Sequence, residues 1–492
     1  MDYSLSNLWH NLLAQLAYDP SQPLLFSSGL FWVLFLLFIP VYAWVKSRRT
    51  QMMLFVTAFS LFFFYKSSGW YLLFMVFTAT LDWLVAQYIA QSRSQRSRRA
   101  LMILSVVCSA GLLVGFKYTN FVLWNIDAII GRNFQPLDII LPIGISFYTF
   151  RTISYVVDVY QRKLQPTDSL LEYLFFITFF PCLIAGPIVR ATELLPQIRQ
   201  NRPATRAMVY GGLWLVLLGV LKKAVAADYI AQYVNIAFGN PTGYSGVELL
   251  MAILGYTMQI YCDFSGYSDM AIGIASIMGF RLPKNFDFPY RSLNVTEFWR
   301  RWHMTLSFWL RDYIYISLGG NRKGKRRQYL NLMATMLIGG LWHGAAWKFI
   351  FWGAGHGGAL CLHKWLMPKL KRLPDTWWVR FGAWLLTFTV VALLWVFFRA
   401  DTFGTACQVI WGTVSRFDLA YLPVFAQVRN TWCIVMVLVF ALHFLPQSIW
   451  DSIQHRFVRS PWWVKLLAFV IVVQLVLEFA AADVQPFIYA QF

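Results

Sequence analysis

A histidine at position 343 sits in the run Gly339-Gly-Leu-Trp-His-Gly-Ala-Ala346, sixteen residues beyond a basic cluster that ends at Arg327. If the chain between them is helical it has risen about 24 Å at 1.5 Å per residue, deep into a hydrocarbon core of about 30 Å. Charging an imidazole there is costly, so a neutral ring is expected. A neutral imidazole can take the proton of a hydroxyl or thiol as a general base. The competing reading is a structural histidine bonded to a neighbouring carbonyl. Gly340 and Gly344 have GxxxG spacing and would let another helix approach this point closely.

Two other stretches carry ionisable groups in apolar context, where each such group costs about 2.5–3.5 kcal/mol at the bilayer centre. In Phe298–Tyr315, Arg300, Arg301, His303, Arg311 and Asp312 alternate with Trp299, Trp302, Phe308, Trp309 and Tyr313. That is too charged to cross lipid and too apolar for a solvated loop. A re-entrant or interfacial element over 296–318, lining a protein-walled cavity, is expected; an aromatic belt with snorkelling arginines is the plainer alternative. In Gln259–Ala271, Asp263 and Asp269 are flanked by apolar residues. Trp299, Arg300, Arg301, Trp302, Arg311, Asp312, Asp263 and Asp269 are therefore candidate substrate-binding residues. The run Asn321–Arg327 reads as a cytoplasmic loop, with binding of donor phosphates as the minority option.

His356 and His363 share a helical face at i, i+7, and with His343 they raise the question of a metal. Ligand pairs usually stand at i, i+3 or i, i+4, and no carboxylate or cysteine completes a tetrahedron nearby, so no metal site is expected. His10, His443 and His455 have no evident partner and read as interfacial or loop residues.

The elements that must position these groups follow from composition. Of 492 residues, 58% are hydrophobic, 18% aromatic and only 13% charged, against about 25% charged in a soluble domain. That excludes a soluble enzyme and a disordered chain. The six cysteines lie mostly in apolar stretches without CxxC spacing, so they read as core residues and not as a disulfide framework. The net charge of +20 comes in short Lys/Arg bursts between apolar runs. It signals cytoplasmic loops, and nucleic acid is not an expected partner. Residues 1–45 hold no Lys or Arg, which argues against a secretory signal, and their first 23 residues read as an external interfacial helix. Basic clusters at 46–49 and 91–99 alternate with the weak loop at 66–69. The positive-inside rule then places both termini outside, with an even number of crossings near ten. No internal repeat or linker interrupts the chain, so 1–492 is expected to form one membrane domain, all-α and polytopic.

The runs FWRRWHMTLSFWLRDYIYISLGGNR and GGLWHGAAW between Phe298 and Trp347 resemble the bacterial branch of the membrane-bound O-acyltransferase family. Further matches in the same order are FFPCLIAGPIVR at 179–190, QIYCDFSGYSDMAIG at 259–273, PKNFDFPYRS at 283–292, WVFFRADTFGTA at 395–406 and PFIYAQF at 486–492, the last with Ala490 where an aromatic is expected. The resemblance implies about eleven spanning helices, with re-entrant and interfacial ones, around a funnel or tunnel. It implies an acyl donor on the cytoplasmic side, acetyl-CoA, with no tightly bound cofactor, and outward delivery of the acyl group from the inner membrane, with both termini periplasmic. A periplasmic SGNH-type partner and polysaccharide synthesis and export machinery are implied as well, for O-acetylation of an exported polymer such as alginate. The family's signature histidine falls on His343 and its second, more variable polar position on His303. Three alternatives stay open: D-alanyl transfer to a cell-wall polymer, a transporter, and a non-catalytic recruitment subunit. A transporter would usually show two related halves, which this sequence lacks.

Overall fold

Uncharged runs in lipid must satisfy every backbone N–H and C=O internally, and for single segments only the α-helix does so. The computed structural model of the protein follows that rule: among the described residues, 14–370 and 372–479, there are helices and turns and no strand. The expected external helix over 1–23 falls largely outside those residues, and the PFIYAQF run entirely so. The chain divides into two compact units, one ending at Pro203 and the other beginning at Ala204.

The first unit holds α1 (Gly29–Val45), α2 (Arg49–Ser68), α3 (Leu72–Gln91), α4 (Gln95–Ile130), α5 (Ile145–Tyr160), α6 (Leu170–Thr178) and α7 (Ala191–Gln200). Its interior is aromatic. Phe180, just after α6, has its ring 5.5 Å from Phe38 and 6.0 Å from Phe63. Two buried carboxylates are paired: Glu172 takes Arg49 and Arg199, and Asp82 accepts from Ser105 and Ser109, which ties α3 to α4. Only 17% of α4's apolar window is buried by protein, so lipid must cover the remainder.

The second unit holds the candidate chemistry. It begins with α8 (Arg206–Val220), a π-helical stretch (Leu221–Ala227), α9 (Asp228–Gly239) and α10 (Gly246–Ile277). Ser245 and Glu248 form a capping box that starts α10. Helices α8 and α10 touch through glycines: a Cβ added to Gly219 would strike the carbonyl of Gly266, and one added to Gly212 that of Gly273. Two short helices follow, α11 (Val295–Arg301) and α12 (Met304–Leu310), with a π-helical turn at Arg311–Tyr315. Then come α13 (Gly324–His343), α14 (Trp347–Leu370), α15 (Trp377–Arg399), α16 (Phe403–Ser415), α17 (Tyr421–Val428), α18 (Asn430–Phe444), α19 (Gln447–Arg459) and α20 (Trp462–Phe479).

Among the described residues five helical stretches are long and apolar enough to cross a bilayer, six if the α17–α18 pair, bent by 95°, is one broken span. The 32-residue α10 is apolar but carries Glu248, Asp263 and Asp269, and most of its residues are buried in protein. The molecule is an all-α, polytopic membrane protein.

Candidate active site

His343 is the last residue of α13. Gly344 continues in extended backbone, and the chain turns within three residues into α14. The glycines flanking the histidine make that tight return possible. A Cβ on Gly340 would collide with the carbonyl of Phe349 and approach Gly353, and one on Gly344 would enter the Phe349 ring. The close approach expected from the GxxxG spacing is thus made by α14 itself. The His343 side chain is buried, with ring centroids of Trp342, Trp352 and Phe398 at 4.9, 5.0 and 5.1 Å.

His303 lies at the break between α11 and α12, in left-handed backbone with φ 41°. Few non-glycine residues adopt that conformation, and it turns the imidazole inward, where it is fully buried. Its Nδ1 is 3.1 Å from Oδ1 of Asn285. The same oxygen accepts from the Thr305 N–H at 3.3 Å and its hydroxyl at 2.9 Å, while Nδ2 donates to Ser268 Oγ at 3.1 Å. An amide oxygen can only accept, so Nδ1 of His303 carries the proton and Nε2 keeps its lone pair. The ring stands edge-on to Phe264 at 4.6 Å and 6.1 Å from Trp342. Trp342 therefore touches both histidines, and the two positions singled out in the sequence meet in one buried aromatic cluster.

The remaining candidates separate into groups. Trp299 donates from Nε1 to Nδ1 of His356 at 3.3 Å, and Trp302 packs on Trp395 at 4.8 Å; both belong to the same cluster. Arg300, on the exposed side of α11, lines an open cavity of 560 Å³ with Thr296, Glu297, His363, Lys364 and Met367. His363 Nδ1 is bonded to the Thr296 hydroxyl at 2.8 Å on its wall. Arg301 instead pairs with Glu297 and Asp287, at 3.0 and 3.4 Å. Burial would raise the Asp287 carboxyl, but the hydrogen bond from Lys284 and the charges of Lys284, Arg301 and Arg291 hold it below the usual carboxylate range. Arg311 pairs with its neighbour Asp312 and stacks over Phe308.

Asp263 and Asp269 meet lysines presented by the π-helical stretch after α8. Lys223 bridges Asp263 at 2.6 Å and Asp228 at 2.8 Å, and Lys222 binds Asp269 at 2.7 Å. His443 departs from its expected interfacial or loop place: it is buried in the last turn of α18, where its Nε2 accepts from the Tyr290 N–H at 3.2 Å. Asn285 and His356 are the residues the sequence reading undervalued. The first lay in a Pro-flanked loop; the second carried a signal in its i, i+4 spacing from Trp352 on an apolar helix.

Chemically, the cluster brings His303, His343 and His356 together, buried among indole and phenyl rings. That suits proton transfer to and from a hydroxyl, and low polarity strengthens every dipole aimed at the reacting atoms.

Comparison with known proteins gives the arrangement a context. Residues 83–403 match the model of MBOAT, the membrane-bound O-acyltransferase family. The chain is 39% identical over 382 residues to a peptidoglycan O-acetyltransferase of Helicobacter pylori, covering 72% of each chain. It is 40% identical over 391 residues to a probable alginate O-acetylase of Azotobacter vinelandii, covering 78% of this chain and 77% of that one. A teichoic acid D-alanyltransferase of Bacillus subtilis is 30% identical over 282 residues, 54% of this chain and 71% of its own.

Proposed function

The chain belongs to the membrane-bound O-acyltransferase family, and from that premise we propose that it moves an acetyl group from a cytoplasmic thioester, acetyl-CoA, toward an exported polysaccharide such as alginate. The observation that carries this reading is the meeting of His343 and His303 on the Trp342 ring within a buried aromatic shell. The higher identity and wider coverage of the two O-acetylating relatives favour acetyl over D-alanyl transfer. The open cavity beside Arg300 and Lys364 supports a phosphate-bearing donor: 560 Å³ falls within the range of about 300–1,000 Å³ typical of small-molecule sites, and its lining carries these two cations against one carboxylate, Glu297.

In this mechanism the His343 imidazole removes the acceptor's hydroxyl proton as the oxygen attacks the thioester carbonyl carbon. A C–O bond forms, the tetrahedral centre collapses with loss of the C–S bond, and the leaving thiolate takes the proton back from the imidazolium. His303, its tautomer set by Asn285, orients the reacting groups. The protein would reside in the bacterial inner membrane with both termini periplasmic. A periplasmic SGNH-type protein would complete delivery to the polymer, alongside the polysaccharide synthesis and export machinery.

The test is ester content. Full-length His343→Ala, made at the same membrane level as the parent chain, should leave exported polysaccharide without O-acetyl ester while the purified protein unfolds at the parent temperature. Undiminished ester in those cells ends the proposal. His303→Ala should also lower ester content, and measuring ester in both exopolysaccharide and peptidoglycan identifies the polymer.

A further inference from the structure

We propose that Trp352 and His356, one turn apart on α14, form the pair of N–H donors that binds the carbonyl oxygen of the acyl thioester and holds its charge during attack. This rests on the acyltransferase reading and adds to it two groups that touch the reacting atoms.

The tautomer of His356 follows from its neighbour. An indole Nε1–H can only donate, and Trp299 donates to Nδ1 of His356 at 3.3 Å. Nδ1 is therefore the acceptor, and the proton of the neutral ring sits on Nε2. That Nε2–H is buried and has no hydrogen-bond partner among the described residues. The same holds for Nε1–H of Trp352. Both residues are fully buried. Native interiors rarely leave such donors unmet, because each loses its hydrogen bonds to water on burial. An apolar side chain at either place would carry no such penalty.

The two donors lie in the same aromatic cluster as the base. Positions 352 and 356 share one face of a helix. The Trp352 ring is edge-on to the His343 imidazole at 5.0 Å and to the His356 imidazole at 4.7 Å, so it touches both the base and its fellow donor. Phe298 stacks parallel to His356, and Trp395 and Phe398 wall off Trp352. The donors are neutral and the walls apolar. That environment does not suit a phosphate or carboxylate, which would want a cation. It suits an oxygen that is neutral in the bound ester and gains negative charge only as the C–O bond forms, when fixed dipoles help most. Neither donor gives up its proton in the step; the proton cycles through His343 and leaves on the thiol.

The experiment uses the full-length protein in cells, with the initial rate of O-acetyl ester accumulation in exported polysaccharide as readout and the unfolding temperature of each purified variant as control. Trp352→Phe and His356→Phe should each slow ester formation by about 10²–10³ while leaving the unfolding temperature within a few degrees. His356→Gln, whose amide N–H can still donate, should recover at least tenfold over His356→Phe. A rate within threefold of the parent in Trp352→Phe, which keeps an aromatic side chain but removes the N–H together with the pyrrole part of the indole, overturns the proposal. So does a His356→Gln variant no faster than His356→Phe. If His356→Phe does not accumulate in the membrane, the Trp352→Phe rate decides. His343→Ala separates the two levels of argument: full activity there removes the acyltransferase reading itself, whereas an inactive His343→Ala beside near-normal donor variants removes only the donor pair.

Discussion

Asn285 is a small residue on which His303 depends. It is 1% exposed, and its amide makes four hydrogen bonds, with His303 Nδ1, the Thr305 N–H and hydroxyl, and Ser268. Replacing it with Leu preserves approximate volume and removes every one. The hydroxyls of Thr305 and Ser268 can rotate to other acceptors; the Thr305 N–H and the Nδ1–H of His303 cannot. Each stranded donor costs about 1–3 kcal/mol, so about 2–6 kcal/mol is at stake, a large share of the usual 5–15 kcal/mol of stability. His303 would also lose what fixes its tautomer, and a loss of about 10²–10⁴ in ester formation is expected, the range of a displaced proton-transfer group. Asn285→Asp retains the accepting oxygen, and Ser268 can reverse to donate, so its unfolding temperature should fall by much less. The assay pairs thermal unfolding of purified variants in nanodiscs with ester content at matched membrane levels. An Asn285→Leu variant that unfolds with the parent and acetylates within threefold of it would refute the assignment of this amide as organiser of His303.

Gly340→Ala should lower the unfolding temperature by an amount equivalent to about 1–3 kcal/mol and reduce ester formation with it, because the methyl meets the Phe349 carbonyl and must push α14 away from His343; equal stability with full activity would show that the α13–α14 contact is softer than it looks. Lys223→Met leaves Asp263 and Asp228 buried without their shared cation, and loss of about 3–5 kcal/mol is expected from thermal unfolding, while activity per folded molecule stays the same. Activity lost beyond the folded fraction would mark Asp263 as a substrate-binding residue. Arg300→Ala combined with Lys364→Ala should raise the KM for acetyl-CoA about tenfold or more with kcat little changed, and an unchanged KM would place the donor's phosphates elsewhere.

Much of this was legible in the sequence because the signals were categorical. A histidine deep in an apolar run, or a broken run of tryptophan and arginine, can be placed by type and distance alone. The close approach at Gly340 was readable for the same reason, although spacing could not say that the approaching helix would be the next one in the chain. Asp263 and Asp269 show the limit. Each looked like an unpaired acid in an apolar stretch, since their cations, Lys222 and Lys223, lie some forty residues earlier and reach them only because a π-helical stretch turns both lysines toward α10. Asn285 was invisible for a related reason: an amide in a loop has no periodicity, and its importance lies wholly in which donors the fold brings to it. His443 looked peripheral because it ends a helix, and helix ends are read as surface until a distant N–H, here that of Tyr290, is found against the ring.

The second unit thus handles its buried polar groups in two ways, and the difference bears on function. Where charge is unavoidable, as at Lys222 and Lys223, it is cancelled locally by carboxylates and the site becomes a rigid brace between α8 and α10. At His303 the ring is instead held by the neutral amide of Asn285, and indole and phenyl rings pack against both His303 and His343. A carboxylate in their place would hold an imidazole in its charged form and spoil it as a base; an amide fixes the tautomer without doing so. Acyl transfer from a thioester needs a base that starts neutral and surroundings that respond only when charge develops. The aromatic shell meets both demands, and it does so next to helix breaks at positions 303 and 344, the places where a membrane-embedded chain can open its backbone to a substrate without leaving polar groups to lipid.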